Sequence, residues 1–153
     1  MRISWLAAVA IVLGAPAGAV AQPKAALEIR KGVGKWATHG IERNVKKGLE
    51  AHGYTTGATG ASYVVSPSVT KVDVSKTAVT CSISIRVARR DANGQERWEA
   101  QQTTTAMGNA MLTNERPLRA DEVAKWTADC IEEATSATLE RRVVPFLDRL
   151  AGA

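Results

Sequence analysis

Residues 79–88 read Val79-Thr80-Cys81-Ser82-Ile83-Ser84-Ile85-Arg86-Val87-Ala88. Apolar and polar side chains alternate through this stretch, and a period of two marks a strand with one buried and one wet face. Val79, Cys81, Ile83, Ile85 and Val87 then face the core, with Thr80, Ser82, Ser84, Arg86 and Ala88 opposite. Downstream, Asp91-Ala92-Asn93-Gly94-Gln95 contains an Asn-Gly pair suited to the left-handed dihedrals of a two-residue hairpin loop. With Ala92 facing Gln95, the returning strand Trp98–Ala106 sets Ala100 opposite Val87, Gln102 opposite Ile85, Thr104 opposite Ile83 and Ala106 opposite Cys81. The inner face of that strand is polar, so Gln102 and Thr104 need partners unless the strand lies at a sheet edge. The run Gln101-Gln102-Thr103-Thr104-Thr105 reads as such an edge or as a ligand-facing strip.

Upstream, Tyr63-Val64-Val65 forms a short strand that Ser66-Pro67 should end, because proline cannot donate into a ladder. Extended structure resumes at Val69–Val74, and a further extended piece is expected near Ala26–Arg30. Residues 55–61, rich in Thr, Gly and Ala, read as a connection. Ile41, Val45 and Leu49 recur every four residues before Gly53, predicting a helix with one narrow apolar stripe. Gly40 and Gly48 each cost that helix about 1 kcal/mol relative to Ala, so tertiary packing must hold it. Near the carboxyl end, Ala120, Val123, Ala124, Thr127, Cys130, Ile131, Ala134 and Ala137 form a second helical stripe. Leu139, Val143, Phe146, Leu147 and Leu150 continue it after the phase drifts, and Pro145 should bend or restart the helix. The expected fold is α+β, an antiparallel sheet of three to four strands against an amino-terminal helix and a long carboxyl-terminal helix.

The chain opens as an export leader: Arg2, an apolar core from Trp5 to Leu13, and Ala19-Val20-Ala21 before Gln22. Cleavage after Ala21 removes residues 1–21 of the 153 and leaves 132, enough for one modest core. Residues 22–37 then form a flexible or extended start, and residues 38–153 a single domain. Pro16 and Gly18 stop the apolar run short of the roughly 20 residues that span a bilayer, so the mature chain is expected to carry no transmembrane segment. The whole chain carries +5, and the leader's one cation leaves +4 on the rest, scattered among acids. Scattered charge with few aromatics argues against nucleic acid as a partner, while anionic envelope polymers remain physically accessible.

Cys81 falls on the inward face of the clearest strand and Cys130 within the helical stripe that should meet it. In an exported chain such a pair reads as a disulfide, with two buried thiols as the alternative. Closing a loop of about 50 residues would add roughly 4 kcal/mol in the chain-entropy account. No redox Cys-x-x-Cys occurs. His39 and His52 are 13 positions apart, outside the spacing of a helical zinc pair. Gly57-Ala58-Thr59-Gly60 lacks the Lys-Ser or Lys-Thr of a phosphate loop. Asp121 and Glu122 suit the positive end of a helix dipole, and no second carboxylate is brought to either. No catalytic, metal-binding or cofactor-binding residue is assigned, and no cofactor is expected.

The order of Tyr63-Val64-Val65, Val69–Val74, the Asn93-Gly94 hairpin and the closing helix resembles small periplasmic domains of cell-envelope assembly factors. These include the peptidoglycan-synthase-activating outer-membrane lipoproteins and the periplasmic domain of the curli secretion channel. The resemblance covers about residues 38–150 by element order, and Gln22 stands where the lipoproteins carry a lipid-attachment cysteine. It implies a sheet packed on helices and a role in binding other proteins. The expectation is an exported, non-enzymatic accessory protein of the periplasm or exterior, whose partner is another envelope protein or an anionic envelope polymer. The alternative is a small exported enzyme with a cleft beside residues 98–106.

Overall fold

The computed structural model describes residues 24–75, 78–108 and 117–151, and the side chains of all but 101–108 and 151. The expected leader, residues 1–21, and its processing point before Gln22 lie outside the described residues. The elements in chain order are β1 (Ala26–Ile29), a 3-10 turn (Ala37–His39), α1 (Ile41–Ala51), β2 (Thr55–Thr56), β3 (Tyr63–Val74), β4 (Val79–Arg90), β5 (Glu96–Gly108) and α2 (Ala120–Thr138). A π turn over Leu139–Val143 leads into α3 (Val144–Ala151).

The fold is α+β, but its sheet is mixed and has five strands in the order β2-β1-β3-β4-β5. This corrects the expected antiparallel sheet of three to four strands. β1 runs parallel to both neighbours, pairing Leu27 with Thr56 on one side and with Tyr63 on the other. The connection expected at 55–61 thus begins with two strand residues, and Ala26–Ile29 lies inside the sheet.

β3 passes through Pro67 without a break, against the expectation that it would stop there. The carbonyls of Val65 and Pro67 accept hydrogen bonds from the Arg30 and Val33 amides, so this side of β3 faces β1. Since β1 ends at Ile29, the amide that Pro67 lacks falls beyond the regular parallel ladder, where its loss costs little.

The hairpin differs in its turn and agrees in its register. Asp91 amide donates to the Gln95 carbonyl, leaving a three-residue loop of Ala92, Asn93 and Gly94. Gly94 alone in this loop has a positive φ, +79°, so Asn93 is not left-handed and the two-residue turn is corrected. That turn would displace the pairing by one residue, but a bulge between Val87 and Ala88 restores it. Val87 meets Ala100, Ile85 meets Gln102, Ile83 meets Thr104 and Cys81 meets Ala106. β5 is an edge strand of the sheet.

The described helices pack on one side of the sheet. Ile41, Val45 and Leu49 of α1 are fully buried, as are Val79, Ile83, Ile85 and Val87 of β4. Gly40, with φ +93°, forms the left-handed entry to α1. In α2, Thr127, Cys130, Ile131, Ala134, Thr135 and Thr138 are buried, whereas Ala120 and Ala124 are exposed, which shortens the expected stripe. The phase drift has its cause in the backbone hydrogen bonding. Val144 amide donates to the Leu139 carbonyl five residues back, and this one-residue expansion turns Val143 inward in place of exposed Arg142. Pro145 sits in the first turn of α3, where it leaves the helix intact.

Candidate interaction face

Alternation along β4 sends every second side chain away from the helices. Pairing across β1, β3, β4 and β5 therefore builds an outer face from Glu28, Arg30, Val64, Ser66, Ser68, Ser84, Arg86, Ala88, Arg90, Glu96 and Trp98. Among the described residues no helix covers this face. In its middle Val64, Ala88 and Ser84 are buried, and among the described residues its one large ring is Trp98.

The bulge at Glu99 decides where Trp98 goes. In the expected register Trp98 would oppose Arg89, on the helix-side parity of β4. In the structure it opposes Ala88 and so joins the outer face. There the Arg86 guanidinium lies 3.8 Å from the centre of the Trp98 ring, and Trp98 is 38% exposed. At this distance the ring face attracts the cation without using up its N–H donors. Among the described residues Arg86 has no carboxylate partner. Two positions along the same strand, Ser84 is 2% exposed and its Oγ has no hydrogen-bond partner, an arrangement that ordinarily costs free energy.

One end of the face is closed by an ionic cluster. Arg90 Nη1 donates to Glu28 Oε2 at 2.9 Å and to the Ala61 carbonyl at 3.0 Å, while Nη2 donates to Glu96 Oε1 at 3.0 Å. Arg30 also donates to Glu96, and the Gly60 amide donates to Glu28 Oε2 at 2.9 Å. The Arg90 guanidinium and then the Gly60 amide hold the Glu28 carboxyl below its ordinary value, and Glu28 in turn raises Arg90. Glu28 and Arg90 side chains are 24% and 16% exposed, so their bond is shielded more than an ordinary surface pair. The cluster fixes β1 to the end of the β4–β5 hairpin.

On the helix side, the Sγ atoms of Cys81 and Cys130 are bonded, with Cα atoms 6.1 Å apart, and join β4 to α2 through the core. His39 Nδ1 lies 3.3 Å from the Trp36 carbonyl, and His52 caps the end of α1, so the two histidines serve different places. Glu122 accepts from the Arg119 amide at 2.9 Å, a helix-start contact. A cleft of about 250 Å³ opens between α1 and α2, lined by Asn44, Lys47, His52, Glu132, Ser136 and Glu140. It is across the sheet from the outer face. Nearby, Tyr54 donates to Asp148 Oδ1 at 2.5 Å and Lys24 donates to the same oxygen at 2.9 Å. Burial, then this bond, pushes the Tyr54 hydroxyl well above the usual phenol range, and the same bond lowers Asp148. Among the described residues no three metal-ligand types cluster, and no helix is long and apolar enough to cross a membrane.

Sequence reasoning placed Cys81 and Cys130 on facing elements but missed the outer cluster. The alternation of Glu28 with Arg30, and of Arg86 with Arg90 along the wet side of β4, carried a signal. It became readable only with the parallel pairing of β1 and the bulge at Glu99.

No family model matches the chain, and no curated protein matches it. Among solved structures it is similar to a Caulobacter crescentus chain assigned as a lipoprotein, with a TM-score of 0.55 at 17% identity over 83% of this chain and 92% of that one. It is also similar to the hypothetical protein CT253 of Chlamydia trachomatis, with a TM-score of 0.52 at 8% identity over 85% and 99% of the two chains. A minor lipoprotein of Acinetobacter baumannii superposes at 0.49 with 16% identity, over 80% and 95%. At these identities the first two establish a common fold.

Proposed function

We propose that this chain is an exported accessory protein of the cell envelope that works by contact with another envelope protein, docked on the outer sheet face. The observation that carries this reading is Arg86, held over the half-exposed Trp98 ring on the side of the sheet opposite the described helices. A guanidinium presented in this way is suited to a carboxylate on a partner, and Trp and Arg are the side chains that most often anchor interfaces. The leader-like residues 1–21 support export. The envelope location draws support from the fold shared with the Caulobacter chain assigned as a lipoprotein.

Photo-crosslinking in intact cells tests the docking. A crosslinkable residue at Ser66, on the outer face, should capture one discrete heterologous protein, and one at exposed Lys46 on α1 should not. Arg86→Glu should weaken the Ser66 adduct at least several-fold. Equal adducts from both positions, no adduct from Ser66, or capture of this chain alone would overturn the assignment.

A further inference from the structure

Among the described residues, strand β5 is the long open edge of the sheet. It pairs with β4 from Glu96 to Gly108 and, among the described residues, has no strand on its other side. Edge strands expose a row of unmatched amides and carbonyls, and proteins usually blunt them with lysine, proline, inward charge or short length. β5 has 13 residues, with its charges, Glu96, Arg97 and Glu99, confined to the first four positions. From Ala100 to Gly108 there is neither a charge nor a proline.

The uncharged stretch is close to its own reverse. Ala100-Gln101-Gln102-Thr103-Thr104-Thr105-Ala106, laid antiparallel on a second copy about Thr103, sets Ala100 against Ala106, Gln101 against Thr105 and Gln102 against Thr104. Thr103 meets its own copy. Each opposed pair is small or able to hydrogen-bond across strands, and no like charges meet. Symmetry restricts the register further. A two-fold axis perpendicular to a sheet keeps each face on its own side, so the register must centre on a residue rather than between two. Centring on Thr103 satisfies this and keeps all seven positions uncharged.

We propose that a second copy of this chain adds to β5 in this antiparallel register, with the two-fold axis at Thr103, to give one continuous ten-stranded sheet. Such an isologous contact closes on itself and uses up the open edge. It sets two Arg86–Trp98 pairs on one extended outer face. The dimer stands independently of which protein docks on that face.

Multi-angle light scattering on protein purified from the exported fraction reads the mass directly. The wild-type mass should rise toward twice that of the single chain as concentration increases to about 100 µM, a range that detects even weak self-association. Thr103→Lys places two ammonium groups together at the axis and should halve the mass with the circular dichroism spectrum unchanged. A wild-type monomer throughout this range, or a folded Thr103→Lys dimer, would overturn the proposal. Should Thr103→Lys fail to fold, Thr103→Cys provides a second test. Directly opposed strand residues have Cα atoms about 4.5–5.5 Å apart, within disulfide range. By thiol–disulfide exchange with oxidised glutathione, two Thr103→Cys chains should form one S–S bond between their new sulfurs, the glutathione S–S bond breaking and its two sulfurs taking both electrons and both thiol protons to leave two reduced glutathiones. Val33→Cys, at an exposed position distant from β5, should remain single, and equal crosslinking of both variants would count against the register.

Discussion

Gly48 of α1 lies against Leu139 of the π turn so closely that a Cβ at residue 48 would sit 2.4 Å from Leu139 Cδ1. The glycine that weakens the helix locally is the one that lets it approach the carboxyl-terminal helix. Gly48→Ala gains about 1 kcal/mol of helix propensity but must displace a buried leucine, which costs about 1–3 kcal/mol. A net loss of stability is therefore expected. Urea denaturation measures it, and a raised midpoint would mean that Leu139 moves aside freely.

Acid should loosen β1 first. The folded Glu28 carboxyl ionises more readily than its ordinary value of 4.5, so its stabilising contribution is complete above that pH and is lost as pH falls below it. Asp148, also lowered, contributes over a similar window. Thermal melts between about pH 6 and pH 3 should show a decline that is shallower in Glu28→Gln. An identical slope in the variant would remove Glu28 from the account.

The π turn carries one residue more than an α-helical path needs. Deleting exposed Arg141 should keep Val143 and Leu147 inward while setting Pro145 inside a continuous helix, so the chain should still fold at a cost of about 3 kcal/mol. Deleting exposed Glu133 instead rotates every later side chain by about 100° and should abolish folding. Paired melting curves distinguish these cases. Equal damage from both deletions would contradict the phase correction.

At the hairpin, Asp91 Oδ1 accepts from the Asn93 and Gln95 amides, each at 2.9 Å, and Gly94 has the left-handed backbone. Gly94→Val should therefore destabilise by at least about 1–2 kcal/mol, while Asn93→Ala stays within about 0.5 kcal/mol of wild type. A large effect at Asn93 would instead favour a two-residue turn with both central positions left-handed.

What the sequence made legible follows the length and regularity of each element. Val79–Val87 and Ile41–Leu49 each offer enough repeats for their periods to be read, and both apolar stripes are buried. β2 has two residues and β1 four, too few for alternation to distinguish either from a loop. Pro67 signals a stop only for a strand bonded on both sides, and which sides are bonded is a tertiary fact. The same holds for Trp98, whose face is set by one extra residue, Glu99, within an otherwise regular pairing. The outer face was hidden because it combines those two unreadable events.

The place of β1 between β2 and β3 also predicts an order of assembly in time. Leu27 is synthesised before both of its neighbours, Thr56 and Tyr63, yet needs them on either side to complete its ladder. The β3–β4–β5 meander can close through contacts between successive strands, whereas β1 must wait for segments distant in sequence. The first described strand to be made should thus be the last inserted, as a latch on the sheet. Pulse-labelled hydrogen exchange during refolding should find the Ile83 and Ile85 amides protected before those of Leu27 and Ile29, and the reverse order would mean that the sheet grows outward from its amino terminus.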